Sequence, residues 1–86
     1  MASVRLRGQL KQLAGDRAEH ELGGATVLDV LRALERAQPP LDGWVLDERS
    51  QIRPHINVFV NGERAEVGTG VGAGDRLEVI PAISGG

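Results

Sequence analysis

The sequence predicts an α+β fold in which a mixed sheet of four to five strands packs on one main helix. Three observations lead to this prediction. Residues 3–7 and 76–80 alternate apolar with charged side chains, the period of a half-buried strand. Residues 27–37 carry apolar side chains at helical spacing. Residues 55–67 read as two strands around Asn61-Gly62, the preferred sequence of a tight hairpin turn.

Length and composition restrict the function classes. The 86 residues are enough for one small domain, and 41% of them are hydrophobic, as expected of a folded chain. The formal charge of −2 and the absence of a basic run argue against a nucleic-acid partner. No apolar run is long enough to span a bilayer, so we expect no membrane partner and a cytoplasmic location. The lack of cysteine excludes disulfides, thiolate metal sites and a cysteine nucleophile.

The first half of the chain predicts two strands and a helix. Residues 3–7 and 18–22 form an antiparallel pair, joined through a short turn or helical loop at 9–14. Thr26 is a helix N-cap, and Asp29 lies where its charge suits the start of the helix. The helix ends before Pro39-Pro40. Its inward side chains are expected to be Val27, Val30, Leu31, Leu34 and Ala37, and its outward ones Asp29, Arg32, Glu35 and Arg36.

Residues 41–54 form the segment with the weakest pattern. Apolar side chains at 41–46, Trp44 among them, are expected to pack as a satellite cluster on the core. The polar run 47–51 is expected to be an exposed turn.

The second half completes the sheet. Strands are predicted at 55–60, 63–67 and 76–80, with glycine-rich turn chemistry at 68–74. Two strands, a helix, a hairpin and a last strand can bury one sheet face under the helix when the first and last strands are parallel neighbours in the centre. This arrangement is the β-grasp, or ubiquitin-like, fold. Because Pro81 lacks an N–H, pairing is expected to stop at Ile80, leaving a domain at 1–80 and a flexible tail at 81–86.

A partner-docking patch is predicted on the sheet face away from the helix. If Val58 and Val79 point to the core, alternation turns their neighbours outward. An aromatic side chain beside an aliphatic one, with charges around them, is typical of docking surfaces. The residues of this predicted patch are Phe59, Ile80, Arg5, Arg7, Arg76 and Glu78.

The C-terminal Gly85-Gly86 allows two interpretations. It can be a frayed end, which is common. Alternatively, because glycines lack Cβ, the end is thin enough to enter a narrow cleft, and the Gly86 carboxylate is the reactive group of a carrier. His20 and His55, the two histidines, are expected at the sheet rim or surface, and no spacing indicates a metal site or a catalytic set.

The sequence resembles the MoaD/ThiS sulfur carriers in three places, namely residues 56–62, the turn Gly74-Asp75 and the ending 80–86. Segment 41–53 is most similar to the CysO-type branch of this family. The resemblance implies a protein co-substrate without catalytic residues of its own or a bound cofactor. An ATP-dependent adenylyltransferase similar to ubiquitin-activating enzymes would adenylate Gly86, and sulfide or a persulfide would convert it to a thiocarboxylate. A sulfur-accepting synthase would then receive the tail residues Ile83, Ser84 and Gly85 in its active site.

Two alternatives share this architecture. One is the small subunit of molybdopterin synthase, which performs the same chemistry inside a stable assembly. The other is a ubiquitin-like protein modifier or a passive binding module. The free chain is expected to be a monomer, and the sequence leaves the sulfur acceptor open.

Overall fold

The computed structural model describes residues 1–82, which form one mixed sheet with helices on one face. The strands are β1 (Ala2–Leu6), β2 (Glu19–Leu22), β3 (Ile56–Val60), β4 (Glu63–Arg64) and β5 (Arg76–Pro81). The helices are α1 (Gly8–Leu13), α2 (Val27–Ala37) and a 3-10 turn (Pro39–Leu41). None of the helices in this part of the chain has the length and apolar character needed to cross a membrane.

The sheet has the predicted topology. Its strand order is β2-β1-β5-β3-β4, with β1 and β5 parallel and the other pairs antiparallel. The first and last strands are therefore central neighbours, and the hairpin lies on one side, which confirms the β-grasp prediction. The short turn or helical loop expected at 9–14 is a short α-helix that contacts β5.

Helix α2 begins where the sequence predicts. The Thr26 hydroxyl accepts a hydrogen bond from Asp29 N at 3.2 Å, which satisfies one free N–H of the first turn. Val27, Val30, Leu31 and Leu34 are fully buried and belong to the same core cluster as the inward side chains of β1, β3 and β5. Ala37, expected inward, is exposed instead, because the helix ends there and the chain turns into Pro39.

Strand β4 is shorter than predicted, ending at Arg64 and not at residue 67. Ala65 N still donates to Val58 O of β3 at 2.8 Å, and the residues after it pair with the start of α2. Val27 N donates to Thr69 O at 2.9 Å and Leu28 N donates to Val67 O at 3.0 Å. Helix first turns carry N–H groups without intrahelical partners, and here Val67 and Thr69, at the entry to the glycine-rich loop, supply the acceptors. The backbone carbonyls of this segment therefore complete the hydrogen bonding of the first turn of α2, which precedes it in the sequence.

Segment 41–54 belongs to the main core and is not a satellite cluster. Leu41, Val45 and Leu46 are buried within it. Glu35, expected to point outward, is half-buried, and its Oε2 accepts hydrogen bonds from Val45 N and Leu46 N at 3.3 and 3.2 Å. Trp44 does not pack as predicted, since 38% of its surface is exposed. The polar turn at 47–51 is confirmed by the hydrogen bond from Asp47 N to Gln51 O.

Strand β5 continues one residue past the predicted end. Ala82 N donates to His55 O at 2.6 Å, so His55 and Ala82 form a hydrogen-bonded pair of the antiparallel ladder. The next pair, Ile56 and Pro81, is then of the non-hydrogen-bonded kind. Its N atoms face away from the partner strand, so the missing N–H of Pro81 costs no hydrogen bond to β3. The expectation that pairing stops at Ile80 is wrong for this reason.

Candidate functional site

The C-terminal tail begins at the end of the central strand β5. Strands β1 and β5 are parallel, so both finish at this end of the sheet, where Arg7 N donates to Val79 O at 3.2 Å. On the β3 side of β5, the backbone N–H of Ala82, the last described residue, donates a hydrogen bond to the His55 carbonyl oxygen. The predicted tail residues Ile83, Ser84, Gly85 and Gly86 lie outside the described residues.

The predicted docking residues all lie on the outer face, the sheet face opposite α2. Phe59 pairs with Glu78, and Ile80 pairs with Asn57, so Phe59 and Ile80 are diagonal neighbours on adjacent strands. Both are half-buried. Arg5 on β1 and Arg7 directly after it lie on the same face and are exposed. The structure therefore brings the set together, and its contact with a partner stays a prediction.

Arg5 and Arg7 on the outer face each form an ion pair with a neighbouring glutamate. Arg5 contacts Glu19 at 2.7 Å and Arg7 contacts Glu78 at 3.1 Å, with all four side chains at least 39% exposed. Such exposed pairs contribute at most about 1 kcal/mol each, so a partner can exchange them at low cost. The Arg76 side chain has no hydrogen bond or ion pair with any other part of residues 1–82.

A shallow depression of about 350 Å³ lies beside these charges. It is lined by Ser3, Arg5, Glu19, Arg76, Leu77 and Glu78. Its rim presents two guanidinium and two carboxylate groups, which suits a polar protein surface.

The two histidines occupy different environments. His55 is exposed and precedes β3, in agreement with the prediction. His20 is buried to 6% exposure, so its predicted surface position is wrong. Its register opposite Val4 turns it inward, and its Nε2 lies 2.9 Å from the Arg17 carbonyl oxygen, which compensates the buried polar atom. Across residues 1–82, no three His, Asp or Glu side chains are placed to hold a metal ion.

A polar cluster at the opposite end of β5 was not predicted. Asp75 accepts hydrogen bonds from Gly72 N at 2.8 Å and Asn61 Nδ2 at 3.0 Å, and Asn61 Oδ1 accepts one from Arg76 N at 3.0 Å. The Gly72 N–H, followed by the Asn61 amide, lowers the pKa of Asp75. The sequence signals were the two turns Asn61-Gly62 and Gly74-Asp75, which gave no indication that their side chains meet.

Comparison with known proteins identifies the family. A model of the ThiS family matches residues 4–86, which is nearly the whole sequence. The chain belongs to the ThiS family. This match includes the terminal Gly85-Gly86.

Each of the following similarities covers at least 95% of this ThiS-family chain. It is 40% identical over 84 residues to small archaeal modifier protein 1 of Haloferax volcanii, covering 95% of this chain and 97% of that one. The crystal structure of SAMP1 from Haloferax volcanii has a TM-score of 0.84 at 39% identity, covering 99% and 98% of the two chains. A chain of the BexX/CysO complex of Amycolatopsis orientalis has a TM-score of 0.89 at 28% identity, with full coverage of both.

These similarities confirm the resemblance to ubiquitin-like carriers of the MoaD/ThiS type. They show that this ThiS-family chain is of the class of small modifier and carrier proteins. They agree with the mixed sheet and helix described above.

Proposed function

We propose that this chain is a sulfur carrier whose Gly86 carboxylate is adenylated, converted to a thiocarboxylate and used by a biosynthetic synthase. The observation that carries the proposal is the ThiS-family match, which extends through Gly85 and Gly86. The chain of the BexX/CysO complex, similar over its full length, supports a carrier that works in complex with a protein partner.

The chemistry explains why activation comes first. A carboxylate is a poor electrophile, so its oxygen attacks the α-phosphorus of ATP and pyrophosphate leaves. The resulting acyl adenylate is attacked by sulfide at the carbonyl carbon of Gly86. The new C–S bond replaces the C–O bond, AMP leaves with the bonding electron pair, and a thiocarboxylate remains. With a persulfide donor, the first product is an acyl disulfide, which a thiol then reduces to the same thiocarboxylate.

In this proposal the chain contributes binding and presentation, and its partners contribute catalysis. The outer face docks an adenylyltransferase of the ubiquitin-activating kind, and the tail residues Ile83, Ser84 and Gly85 enter the active sites of that enzyme and of the synthase. No cofactor is bound, and ATP is consumed by the activating enzyme. We place this cycle in the cytoplasm, where ATP is available.

The direct test is intact-mass measurement of the chain after incubation with its cognate activating enzyme, ATP and sulfide. The expected result is a mass gain equal to the difference between sulfur and oxygen, dependent on ATP. A variant lacking Gly86 ends one residue earlier, about 3.5 Å short, and should not gain the mass. Absence of the gain in the wild-type chain with a competent enzyme would refute the carrier function.

Protein modification is a second candidate, favoured by the 40% identity to a protein named a small archaeal modifier. It uses the same acyl adenylate but ends in an isopeptide bond to a lysine of a target. Arg76 is the last basic residue of the sequence, so trypsin would leave residues 77–86 attached to the modified lysine. Recovery of that branched peptide from cells, and its loss without Gly86, would establish modification; a thiocarboxylate without the branched peptide would favour the carrier alone.

A further inference from the structure

The last paired residues of β5 are held from two sides. On one side, Ala82 N donates to the carbonyl oxygen of His55 at 2.6 Å. On the other, Pro81 lies against Gly8, the first residue of α1: a Cβ built on Gly8 would be 3.3 Å from Pro81 Cγ and 3.9 Å from Cδ. A contact of 3.3 Å is tighter than about nine in ten real Cβ contacts, so a side chain at position 8 would require the proline ring to move by a few tenths of an ångström.

Gly8 also has a backbone conformation that favours glycine. Its φ is +58°, in the left-handed region, where a Cβ is disfavoured. Two separate constraints therefore disfavour larger residues at position 8, namely the backbone angle and the contact with the proline ring. Gly15, at the other end of α1, has a similar φ of +69° but no atom within 4 Å of a built Cβ. The chain thus contains a glycine that shares the first constraint and lacks the second.

We propose that Gly8 is a positioning residue for the C-terminal tail. By admitting Pro81 against the start of α1, it fixes the position and direction of the chain at Pro81 and Ala82, where the tail begins. This inference rests on the proposed function, because a fixed direction matters when a partner must receive the tail end.

The contact between Gly8 and Pro81 also limits how far from this end of the sheet an enzyme that acts on Gly86 can bind. Four residues, 83–86, separate Ala82 from the end of the sequence, and covalent geometry limits them to about 14 Å. An enzyme that acts on Gly86 must therefore bring its surface close to Pro81, Gly8 and His55. Freeing even one residue at the exit adds conformations that binding must remove, at a cost of about tenfold in affinity.

The structural test is amide hydrogen exchange of Ala82, measured by NMR in the wild type, Gly8→Ala, Pro81→Ala and Gly15→Ala. We expect Ala82 to lose about tenfold or more of its protection in Gly8→Ala and Pro81→Ala and to keep it in Gly15→Ala. Gly15→Ala carries the same backbone penalty and shows any general loss of stability, while Pro81→Ala leaves α1 unaltered. Equal exchange of Ala82 in all four proteins would overturn the proposal.

The double variant Gly8→Ala/Pro81→Ala tests whether the two residues act through their contact. If they do, the double variant loses no more protection than the more affected single variant. Additive losses would mean that each acts independently and would contradict the proposed role of Gly8.

The functional test is the steady-state rate of adenylation of the same variants. We expect Gly8→Ala to raise KM about tenfold with kcat unchanged, since the added freedom is removed on binding, and Gly15→Ala to match the wild type. Unchanged KM in Gly8→Ala would overturn the positioning role. If the wild type itself is not adenylated, the proposed function fails, and the exchange of Ala82 still decides whether Gly8 holds the exit.

Discussion

The carboxylate of Asp75 links two turns to the start of β5. One oxygen accepts from the Gly72 backbone and the other from the Asn61 side chain, which itself accepts from Arg76 N. The glycine-rich loop, the hairpin turn and the central strand are thereby held in one arrangement. This residue lies at the end of β5 opposite the tail, where it fixes where the central strand begins.

Asp75→Asn should destabilise the fold at neutral pH, because the amide NH₂ would face donors where the carboxylate accepts hydrogen bonds. The pKa of Asp75 is below its ordinary 3.8, so ionised Asp75 stabilises the folded state above that pH. The stabilisation is lost as pH falls through the lowered pKa. Thermal unfolding between pH 7 and pH 2 should therefore show a gap between wild type and variant that closes at the acidic end.

Asp42→Asn is the matched control for this prediction. Asp42 is exposed, and its side chain has no hydrogen bond within residues 1–82. Its variant should unfold close to the wild-type temperature at each pH. A gap for Asp75→Asn that stays constant with pH would contradict the role of the ionised carboxylate.

At the scale of elements, helix α2 anchors the loop that follows it. Glu35 accepts two backbone N–H groups, from Val45 and Leu46, whose side chains are buried in the core. The side chain of Arg53 donates to the carbonyl of Gly43 in the same loop. These contacts hold the backbone on both sides of the exposed Trp44.

Glu35→Ala should cost about 1–3 kcal/mol of unfolding free energy, because it leaves two N–H groups without their acceptor. Glu35→Gln should cost less, since its amide oxygen still accepts, although without the charge. Urea unfolding followed by the fluorescence of Trp44, the single tryptophan, measures both the global change and the loop environment. Glu48→Ala, an exposed change in the same segment, is the control; an equal effect of Glu48→Ala and Glu35→Ala would refute the anchoring role.

The elements with strong local patterns were predictable from the sequence. Alternation predicted β1 and β5, the Asn61-Gly62 hairpin turn predicted β3, and the Thr26 cap with its helical spacing predicted α2. Features that depend on contacts between residues distant in the sequence were not predictable. The end of β4 is decided by the N–H groups of Val27 and Leu28, and the burial of His20 is decided by its register opposite Val4.

The same distinction applies to the site. Period-two alternation was sufficient to place Phe59, Ile80 and the charged residues on one face. The contact of Gly8 with Pro81 was not visible, because it joins residues far apart in the sequence and depends on the geometry of α1.

At the scale of the whole molecule, two surfaces differ in character. The outer face carries half-buried Phe59 and Ile80 with exposed arginines around them and borders the tail exit. The surface beside α2 carries the exposed Trp44 on an anchored loop. A partner that acts on Gly86 must reach the exit, so the outer face is the better placed of the two.

Phe59→Ala should therefore weaken binding to the activating enzyme by about tenfold or more, as for a central aromatic contact. Trp44→Ala should change the affinity less than about twofold and serves as the control for loss of an exposed aromatic ring. Arg76→Ala should mainly lower the association rate, with a smaller difference at high salt, because rim charges steer encounter. Titration calorimetry and surface plasmon resonance measure these quantities, with thermal unfolding to confirm that each variant is folded. Weaker binding by Trp44→Ala with unchanged binding by Phe59→Ala would move the docking surface to the side of α2, and the tail would then have to reach its enzyme around the edge of the sheet.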